Sequence, residues 1–208
     1  HLLDNSFISC TAVFLDSPLA IRVTSVFAKY KSELEDVEKG DHPFSNPKFH
    51  FTETVDESKA IARFDGGVII MAASGMCDAG RIRHRLKNWL SRDEGTVLFT
   101  GFQAVGTLGR ILQDGARSVR IQGEEFAVRA RIRSLDLYSG HADGTELRDW
   151  IKERLPIRHQ LFLVHGEEAA MQGLAARLDG IVDAHNVLRP ELDESFVLTG
   201  SGAQHLTK

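Results

Sequence analysis

The chain has 208 residues, of which 42% are hydrophobic and 26% charged, a balance typical of an ordinary globular protein and not of a disordered chain. No apolar run approaches the roughly 20 residues that span a bilayer. The formal net charge of −4 excludes a protein that binds nucleic acid through a large overall positive charge. The length fits one large domain or two small ones.

Two features bear on the origin and the compartment of the chain. It begins at His1 with no initiator Met, no basic n-region and no apolar signal-peptide core, so we expect a cut within a longer chain or the residue of a removed tag. The cysteines, Cys10 and Cys77, fit neither a disulfide framework nor a CxxC metal site. We expect them to be reduced thiols in a cytoplasmic protein.

The first half of the chain alternates between strands and helices. A β-rich apolar run predicts a strand at 11–15, and Asp16-Ser17-Pro18 then supplies an N-cap and a proline for the first turn of a helix. Continuous apolar runs predict further strands, buried on both faces, at 68–72 and 96–100. The residue pattern predicts helices at 18–38, 56–64, 74–91 and 107–113. One side of the first helix carries the apolar residues Leu19, Val23, Val26, Phe27 and Tyr30.

The three repeats of strand, loop and helix indicate an α/β fold with a parallel sheet covered by helices. From Val119 onward the predicted strands are shorter, at 119–121, 126–128, 131–137, 160–164, 186–188 and 195–198. Two further helices are predicted at 144–155 and 167–178. This change of pattern predicts a domain boundary near residue 120, with domains at 1–120 and 121–208.

Basic residues are concentrated in two short segments despite the negative net charge. The first segment contains Arg81, Arg83, His84, Arg85 and Lys87, and the second contains Arg129, Arg131 and Arg133. One interpretation is a basic groove for nucleic acid, and the other is a solvated charged face balanced by Asp and Glu. The sequence leaves both open.

Four loops follow strands or strand-like runs, where ligands of parallel sheets collect. They are 16–18, 73–76, 101–107 and 165–167. Ser17, Ser74 and Thr107 each have two interpretations, as a helix cap or as a phosphate ligand. Neither a Walker A motif nor a G-x-G-x-x-G fingerprint occurs, so a nucleotide cofactor is not expected.

Two histidines stand at strand ends, each close to a carboxylate. His141 lies two residues before Asp143, and His165 lies two residues before Glu167. A histidine in such a place binds a metal ion or transfers protons near neutral pH. The neighbouring acid either orients the imidazole ring or caps the next helix.

Five motifs in order resemble those of a known family. They are L-D-S-P-L-A at 15–20, A-S-G-M at 73–76, G-F-Q-A-V-G-T-L-G-R at 101–110, S-G-H-A-D at 139–143 and L-V-H-G-E at 163–167. Together they are similar to the β-CASP metallo-β-lactamase family of RNA-processing nucleases, of the ribonuclease J and mRNA 3′-end-processing type. The resemblance extends from about Thr11 to about Leu178.

The resemblance implies a Rossmann-like β-CASP domain, mostly within 1–120, and the C-terminal part of a metallo-β-lactamase αββα core in 121–208. It implies a two-zinc ribonuclease in which His165 is the last zinc ligand and His141 assists the leaving group at the scissile phosphate. It also implies that Ser74, Gly75, Met76, Gly106 and Thr107 contact single-stranded RNA through its backbone. To this predicted contact set we add Ser17 and Ser139, and Arg81 or Arg110 as a source of positive charge. Whether the cut is internal or terminal stays open.

The sequence departs from the family in one respect, because the zinc-binding signature H-x-H-x-D-H occurs nowhere in the 208 residues. One candidate ligand does not hold two zinc ions, so we expect the isolated chain to be inactive. Two alternatives remain: a non-catalytic RNA-binding scaffold with a decayed metal site, and a metallo-hydrolase of a small substrate. Apolar surface left exposed in 121–208 predicts a homodimer or poor solubility.

Overall fold

The computed structural model describes residues 9–33, 46–135 and 140–206. The chain folds into two compact units, His1–Ser139 and Gly140–Lys208. The domain boundary expected near residue 120 stays a prediction.

The first unit contains a three-stranded parallel sheet. Its strands are β1 (Ala12–Asp16), β2 (Phe49–Phe51) and β3 (Val68–Ala72), and β1 lies between the other two. Every residue of β1 is buried, as expected for the central strand of a parallel sheet. The predicted parallel arrangement is therefore confirmed for the first and second predicted strands.

Four helices belong to this unit: α1 (Pro18–Lys29), α2 (Val55–Ala60), α3 (Ile82–Trp89) and α4 (Leu108–Gln113). Short 3-10 turns at Lys31–Glu33 and Ile61–Arg63 extend the chain beyond α1 and α2. Ser17 caps α1, as predicted, and Thr54 with Glu57 forms a capping box at α2.

Two predicted helix boundaries were wrong. The first helix ends as an α-helix at Lys29, well before 38, and residues 34–45 lie outside the described part of the chain. The helix predicted from residue 74 begins only at Ile82. Residues 74–81 form a loop because Cys77 and Gly80 have φ angles of 64° and 76°, which a right-handed helix does not accept.

The apolar side of α1 faces solvent. Leu19, Val26 and Phe27 are all more than half exposed, and Val23 and Tyr30 are also exposed, while Ile21 packs inward. The apolar periodicity of this helix therefore does not mark the face that the first unit buries.

The remaining strands of the first unit are β4 (Thr96–Phe99), β5 (Ser118–Ile121), β6 (Glu124–Ala127) and β7 (Arg131–Ser134). β5 and β6 form an antiparallel hairpin, and β4 pairs in parallel with β7. Burial of β4 on both faces was a wrong prediction, because Thr96 and Leu98 are exposed. The core here is formed mainly by Leu86, Leu90, Phe99, Leu108, Leu112, Val119 and Ile121.

The second unit contains α5 (Gly144–Lys152), β8 (Leu161–Phe162), α6 (Glu168–Arg177), β9 (Val187–Leu188), β10 (Phe196–Thr199) and β11 (Gly202–His205). A 3-10 turn, Ala184–Asn186, precedes β9. β8 pairs in parallel with β9, and β10 forms an antiparallel hairpin with β11, which the sequence did not predict. The core of the second unit is formed by Ile151, Leu178 and Val182.

The fold class is α/β, as predicted, since parallel strand pairs occur in both units and helices pack beside them. Among the described residues, no helix has both the length and the apolar composition that a membrane crossing needs.

Candidate functional site

The carboxyl ends of β1, β2 and β3 lie at one edge of the parallel sheet. The chain leaves these strands at Ser17, Thr52 and Ala73. The structure therefore brings the predicted loops 16–18 and 73–76 to the same edge. Ser17 is 5% exposed, and its Oγ accepts a hydrogen bond from the Ala20 N–H at 3.3 Å. Of its two interpretations, helix capping is the one with an observed contact.

Asp16 is the centre of a buried network that the sequence did not reveal. Its Oδ1 accepts hydrogen bonds from Thr52 Oγ1 at 2.8 Å and from Arg81 Nη1 at 3.1 Å. Its Oδ2 accepts one from Arg85 Nε at 2.8 Å. Arg85 also donates to the carbonyl and the hydroxyl of Ser58, both at 2.6 Å. One carboxylate therefore joins β1, the segments after β2 and the start of α3.

Two opposing effects set the pKa of Asp16. Burial raises it, while hydrogen bonds from Thr52, Ser58 and Arg85 and the positive charge of Arg85 lower it, and the net result is a pKa below the ordinary 3.8. The carboxylate is therefore charged at neutral pH. Because two guanidinium groups share this one carboxylate, the network carries one positive charge in excess.

The first basic segment does not form one continuous face. Arg85 is 6% exposed and lies in the buried network. Arg81, predicted to contact RNA, is only partly exposed and donates to the carbonyls of Thr52 at 2.6 Å and Glu53 at 2.9 Å as well as to Asp16. Periodicity did not identify this burial because a guanidinium group enters a core only when distant partners pair with it.

The loop after β3 turns back on itself before α3 begins. The Ser74 N–H donates to the Ala79 carbonyl at 3.2 Å, and the Cys77 N–H donates to the Ser74 carbonyl at 3.1 Å. Ser74 does not cap α3, whose N-cap residue is Arg81. The phosphate-ligand interpretation of Ser74 stays a prediction.

Three hydrogen bonds join this loop to the start of α4 and to the segment before it. Gly109 N–H donates to the Met76 carbonyl at 2.9 Å, and Leu108 N–H donates to Asp78 Oδ1 at 3.0 Å. The Gln103 carboxamide donates to the Gly75 carbonyl at 3.1 Å. The predicted contact residues Gly75 and Met76 are therefore held beside the start of α4.

Thr107 is the N-cap of α4. Its Oγ1 accepts from the Arg110 N–H at 3.2 Å and donates to the Ala104 carbonyl at 2.7 Å. Together with the bonds of Leu108 and Gly109, this means that the first three N–H groups of α4 all bond within the protein. An RNA phosphate would have to meet the loop before α4, where Gly106 is exposed and has a φ of 86°.

Arg110 lies on the first turn of α4 and forms an ion pair with Asp114. Its Nε donates to both carboxylate oxygens, at 2.9 and 3.0 Å. The side chain is partly exposed, so its charge remains close to the solvent beside the Thr107 loop.

His141 is exposed and precedes α5 in the second unit. Asp143 accepts hydrogen bonds from the N–H groups of Thr145 at 2.7 Å and Glu146 at 2.9 Å, in a capping box with Glu146. Both hydrogen bonds lower the pKa of Asp143, and the bond from the Glu146 N–H has a larger effect than the bond from the Thr145 N–H. Asp143 therefore acts as a helix cap. Ser139, another predicted contact residue, lies outside the described residues.

His165 is exposed and follows the buried Leu163 at the end of β8. Its φ of 62° lies in the left-handed region, which is uncommon for residues other than glycine. A zinc site needs three or four ligands close together. The described residues contain no group of three or more His, Cys, Asp or Glu side chains able to hold a metal ion. By themselves they do not fit a zinc site.

Both cysteines are free and buried. Burial, and secondarily the charge of Asp78, raises the pKa of the Cys77 thiol to about 11. A thiol with this pKa is protonated at neutral pH, so Cys77 contributes to the core and not to the chemistry.

Comparison with known proteins identifies the family. Residues 2–112 match the Beta-Casp domain, and residues 125–188 match the Zn-dependent metallo-hydrolase RNA specificity domain. The chain therefore belongs to the β-CASP family of metallo-β-lactamase-type RNA nucleases, and the resemblance drawn from its five motifs is confirmed.

Individual relatives agree with this assignment. Over 171 residues the chain is 37% identical to ribonuclease TTHA0252 of Thermus thermophilus, covering 80% of the chain and 39% of the relative. It is 30% identical over 169 residues to transcription termination factor FttA of Cenarchaeum symbiosum, covering 78% of the chain and 26% of the relative. It is 31% identical over 145 residues to FttA of Pyrococcus abyssi, covering 67% and 22%. The chain thus spans about two fifths or less of these relatives.

Proposed function

We propose that the chain is the RNA-contacting domain and the C-terminal catalytic segment of a zinc-dependent ribonuclease that hydrolyses phosphodiester bonds in RNA processing or decay. The observation that carries this proposal is the match of residues 125–188 to the RNA specificity domain of zinc-dependent metallo-hydrolases, because that segment contains both His141 and His165. The name of the 37% identical Thermus thermophilus relative, a ribonuclease, supports it.

In this proposal the two histidines have different tasks. His165 would supply one zinc ligand through its imidazole, and His141 would donate a proton or a hydrogen bond to the leaving oxygen. Their exposure leaves both rings accessible to a substrate. In this proposal the other ligands lie outside these 208 residues, in which the signature H-x-H-x-D-H does not occur, so the isolated chain would be inactive.

The substrate is single-stranded RNA, held by its backbone at the loops that follow β3 and β4. Ser74, Gly75, Met76, Gly106 and Thr107 line the two loops that would contact phosphates, and Arg110 adds charge beside them. Ser17 also caps α1, and Arg81 also joins Asp16 to the segment after β2, and both residues stay in the proposed contact set. Ser139 remains in the proposed contact set. Phosphate contacts carry no base information, so weak sequence preference is expected.

An RNA cleavage assay tests the proposal. The isolated chain and the whole protein are each incubated with zinc and an end-labelled single-stranded RNA. We expect cleavage by the whole protein only, and a loss of about 10²- to 10⁴-fold in kcat for His141→Ala of the whole protein, the usual contribution of a general acid. His159→Ala, an exposed histidine outside the motifs, is the matched control.

The products of the same assay show whether the cut is internal or terminal. Turnover by the isolated chain that disappears with His141→Ala would contradict the proposed inactivity. An unreactive whole protein that still binds RNA would instead support the second candidate, a non-catalytic RNA-binding scaffold.

A cytoplasmic location is part of this proposal and draws on the two free cysteines. Imaging of the fluorescently tagged whole protein in cells would test it, and export or membrane association would contradict it.

A further inference from the structure

Gln103 is buried between the two loops that are proposed to contact RNA. Its side chain is 3% exposed. Its Nε2 donates to the Gly75 carbonyl at 3.1 Å, the Gly101 carbonyl at 3.0 Å and the Phe102 carbonyl at 3.1 Å. An amide group has two N–H bonds, so these three acceptors share them. One side chain therefore joins the loop after β3 to the loop after β4.

Gly109 completes this contact from the other side. A Cβ atom on Gly109 would lie 1.8 Å from Gln103 Oε1 and 2.9 Å from its Cδ, so the carboxamide occupies the place of a side chain at Gly109. The Gly109 N–H donates to the Met76 carbonyl at 2.9 Å. Only glycine allows the start of α4 to approach both Gln103 and the loop after β3 this closely.

The arrangement has an energetic cost. Gln103 Oε1 is buried and finds no hydrogen-bond partner among the described residues. An unsatisfied buried acceptor is unfavourable. A leucine or methionine of similar volume would avoid this cost, but it would give up the three bonds from Nε2.

We propose that Gln103 is a positioning residue, and that its interlock with Gly109 fixes the distance between residues 73–76 and residues 101–107 and thereby sets the affinity for the RNA backbone. The RNA part rests on the proposed function above, whereas the interlock itself does not. The interlock and its effect on RNA therefore have separate readouts.

Amide hydrogen exchange, measured by NMR on the 208-residue chain, tests the interlock. In Gln103→Ala we expect the Gly109 N–H to exchange at least about tenfold faster, since the loss of a buried hydrogen bond corresponds to roughly that factor. Amides of the distant strand β1, such as that of Val13, should keep their rates. Gln113→Ala is the matched control, because Gln113 is an exposed glutamine on α4 whose side chain donates to Ser134 Oγ at 2.8 Å.

Two further variants separate bonding from space filling. Gln103→Met keeps a similar volume but has no hydrogen-bond donor, so we expect exchange at Gly109 as fast as in Gln103→Ala. Gly109→Ala should displace Gln103 and also raise exchange, but it should add little in a Gln103→Ala background, where the space is vacant. Slow exchange in Gln103→Met, or additive effects in the double variant, would overturn the interlock, and these variants keep the test decisive if Gln103→Ala fails to fold.

Binding of a fluorescent oligouridylate of about 12 nucleotides tests the effect on RNA. We expect the Kd to rise roughly tenfold in Gln103→Ala and Gln103→Met and to stay unchanged in Gln113→Ala, with thermal unfolding of each variant measured alongside. Faster exchange with an unchanged Kd would overturn the positioning role. If the unmodified chain binds no RNA, the proposed RNA contact fails, and the exchange result still decides the interlock.

Discussion

Asp16 is fully buried, and each residue that donates to its carboxylate is at least 36 positions away along the chain. Thr52 approaches it from the segment after β2, and Arg81 and Arg85 approach it from the start of α3. A buried ion pair contributes little net stability compared with an apolar core, but removal of one partner leaves an uncompensated charge. Asp16 is therefore a residue whose substitution should affect the whole sheet edge.

We expect Asp16→Asn to lower the free energy of unfolding by about 3–5 kcal/mol, because the buried guanidinium of Arg85 loses its counter-charge while the side-chain shape is kept. Urea unfolding followed by circular dichroism measures this change. Asp114→Asn, which breaks the exposed pair with Arg110, should cost less than about 1 kcal/mol. Equal losses of unfolding free energy in the two variants would contradict the larger contribution that we expect from the buried network.

The pH dependence of stability should reveal the same carboxylate. Its pKa in the folded state is lowered below the ordinary 3.8, so Asp16 contributes stability that is present above pH 3.8 and lost as the pH falls through the folded-state pKa. The urea concentration at the unfolding midpoint should therefore decrease as the pH is lowered below about 4. This decrease should be less steep in Asp16→Asn. If the urea midpoint decreases equally with falling pH in both proteins, carboxylates other than Asp16 cause the loss of stability in acid.

At the scale of elements, backbone geometry explains why residues 74–81 form a loop where the first turns of a helix were predicted. Gly80 has a φ of 76°, and a Cβ there would lie 2.4 Å from the Ala73 carbonyl oxygen. The apolar positions from Ile82 onward do form a helix, but backbone geometry, which hydrophobic spacing does not record, sets its first residue. The predicted caps at Ser17 and Thr107 were correct because a cap depends on neighbours within three residues.

Gly80→Ala should destabilise the first unit by more than about 1 kcal/mol, since both the left-handed φ and the contact with Ala73 oppose a side chain. Gly66→Ala is the control, because no atom of the described residues lies within 4 Å of its Cβ position and its φ is not positive. Chemical denaturation of both variants measures the difference. A neutral Gly80→Ala would indicate that residues 74–81 rearrange without cost.

At the scale of the whole molecule, both units expose large apolar side chains. In the second unit Leu192 is 93% exposed and Leu198 is 74% exposed, and in the first unit the apolar side of α1 faces solvent. Exposed apolar surface of this kind favours association. We therefore expect the 208-residue chain to form a homodimer or a larger assembly.

Sedimentation velocity over a range of concentrations measures this association. Leu198→Glu should shift the equilibrium towards the monomer if the second unit forms the contact, and Phe27→Glu should do so if α1 forms it. A monomer at all accessible concentrations would contradict the expectation.

The sequence by itself determined the α/β class, most of the helices and strands, the family and the two candidate histidines. These depend on local patterns, namely apolar runs, caps and short motifs, which a chain displays without its fold. Only the tertiary structure decided that Asp16 binds two arginines and that Gln103 joins two loops. It also decided that the first three N–H groups of α4 have hydrogen-bond partners within the protein. Each of these contacts joins residues far apart in sequence or depends on backbone geometry, and such information appears only when the chain is folded.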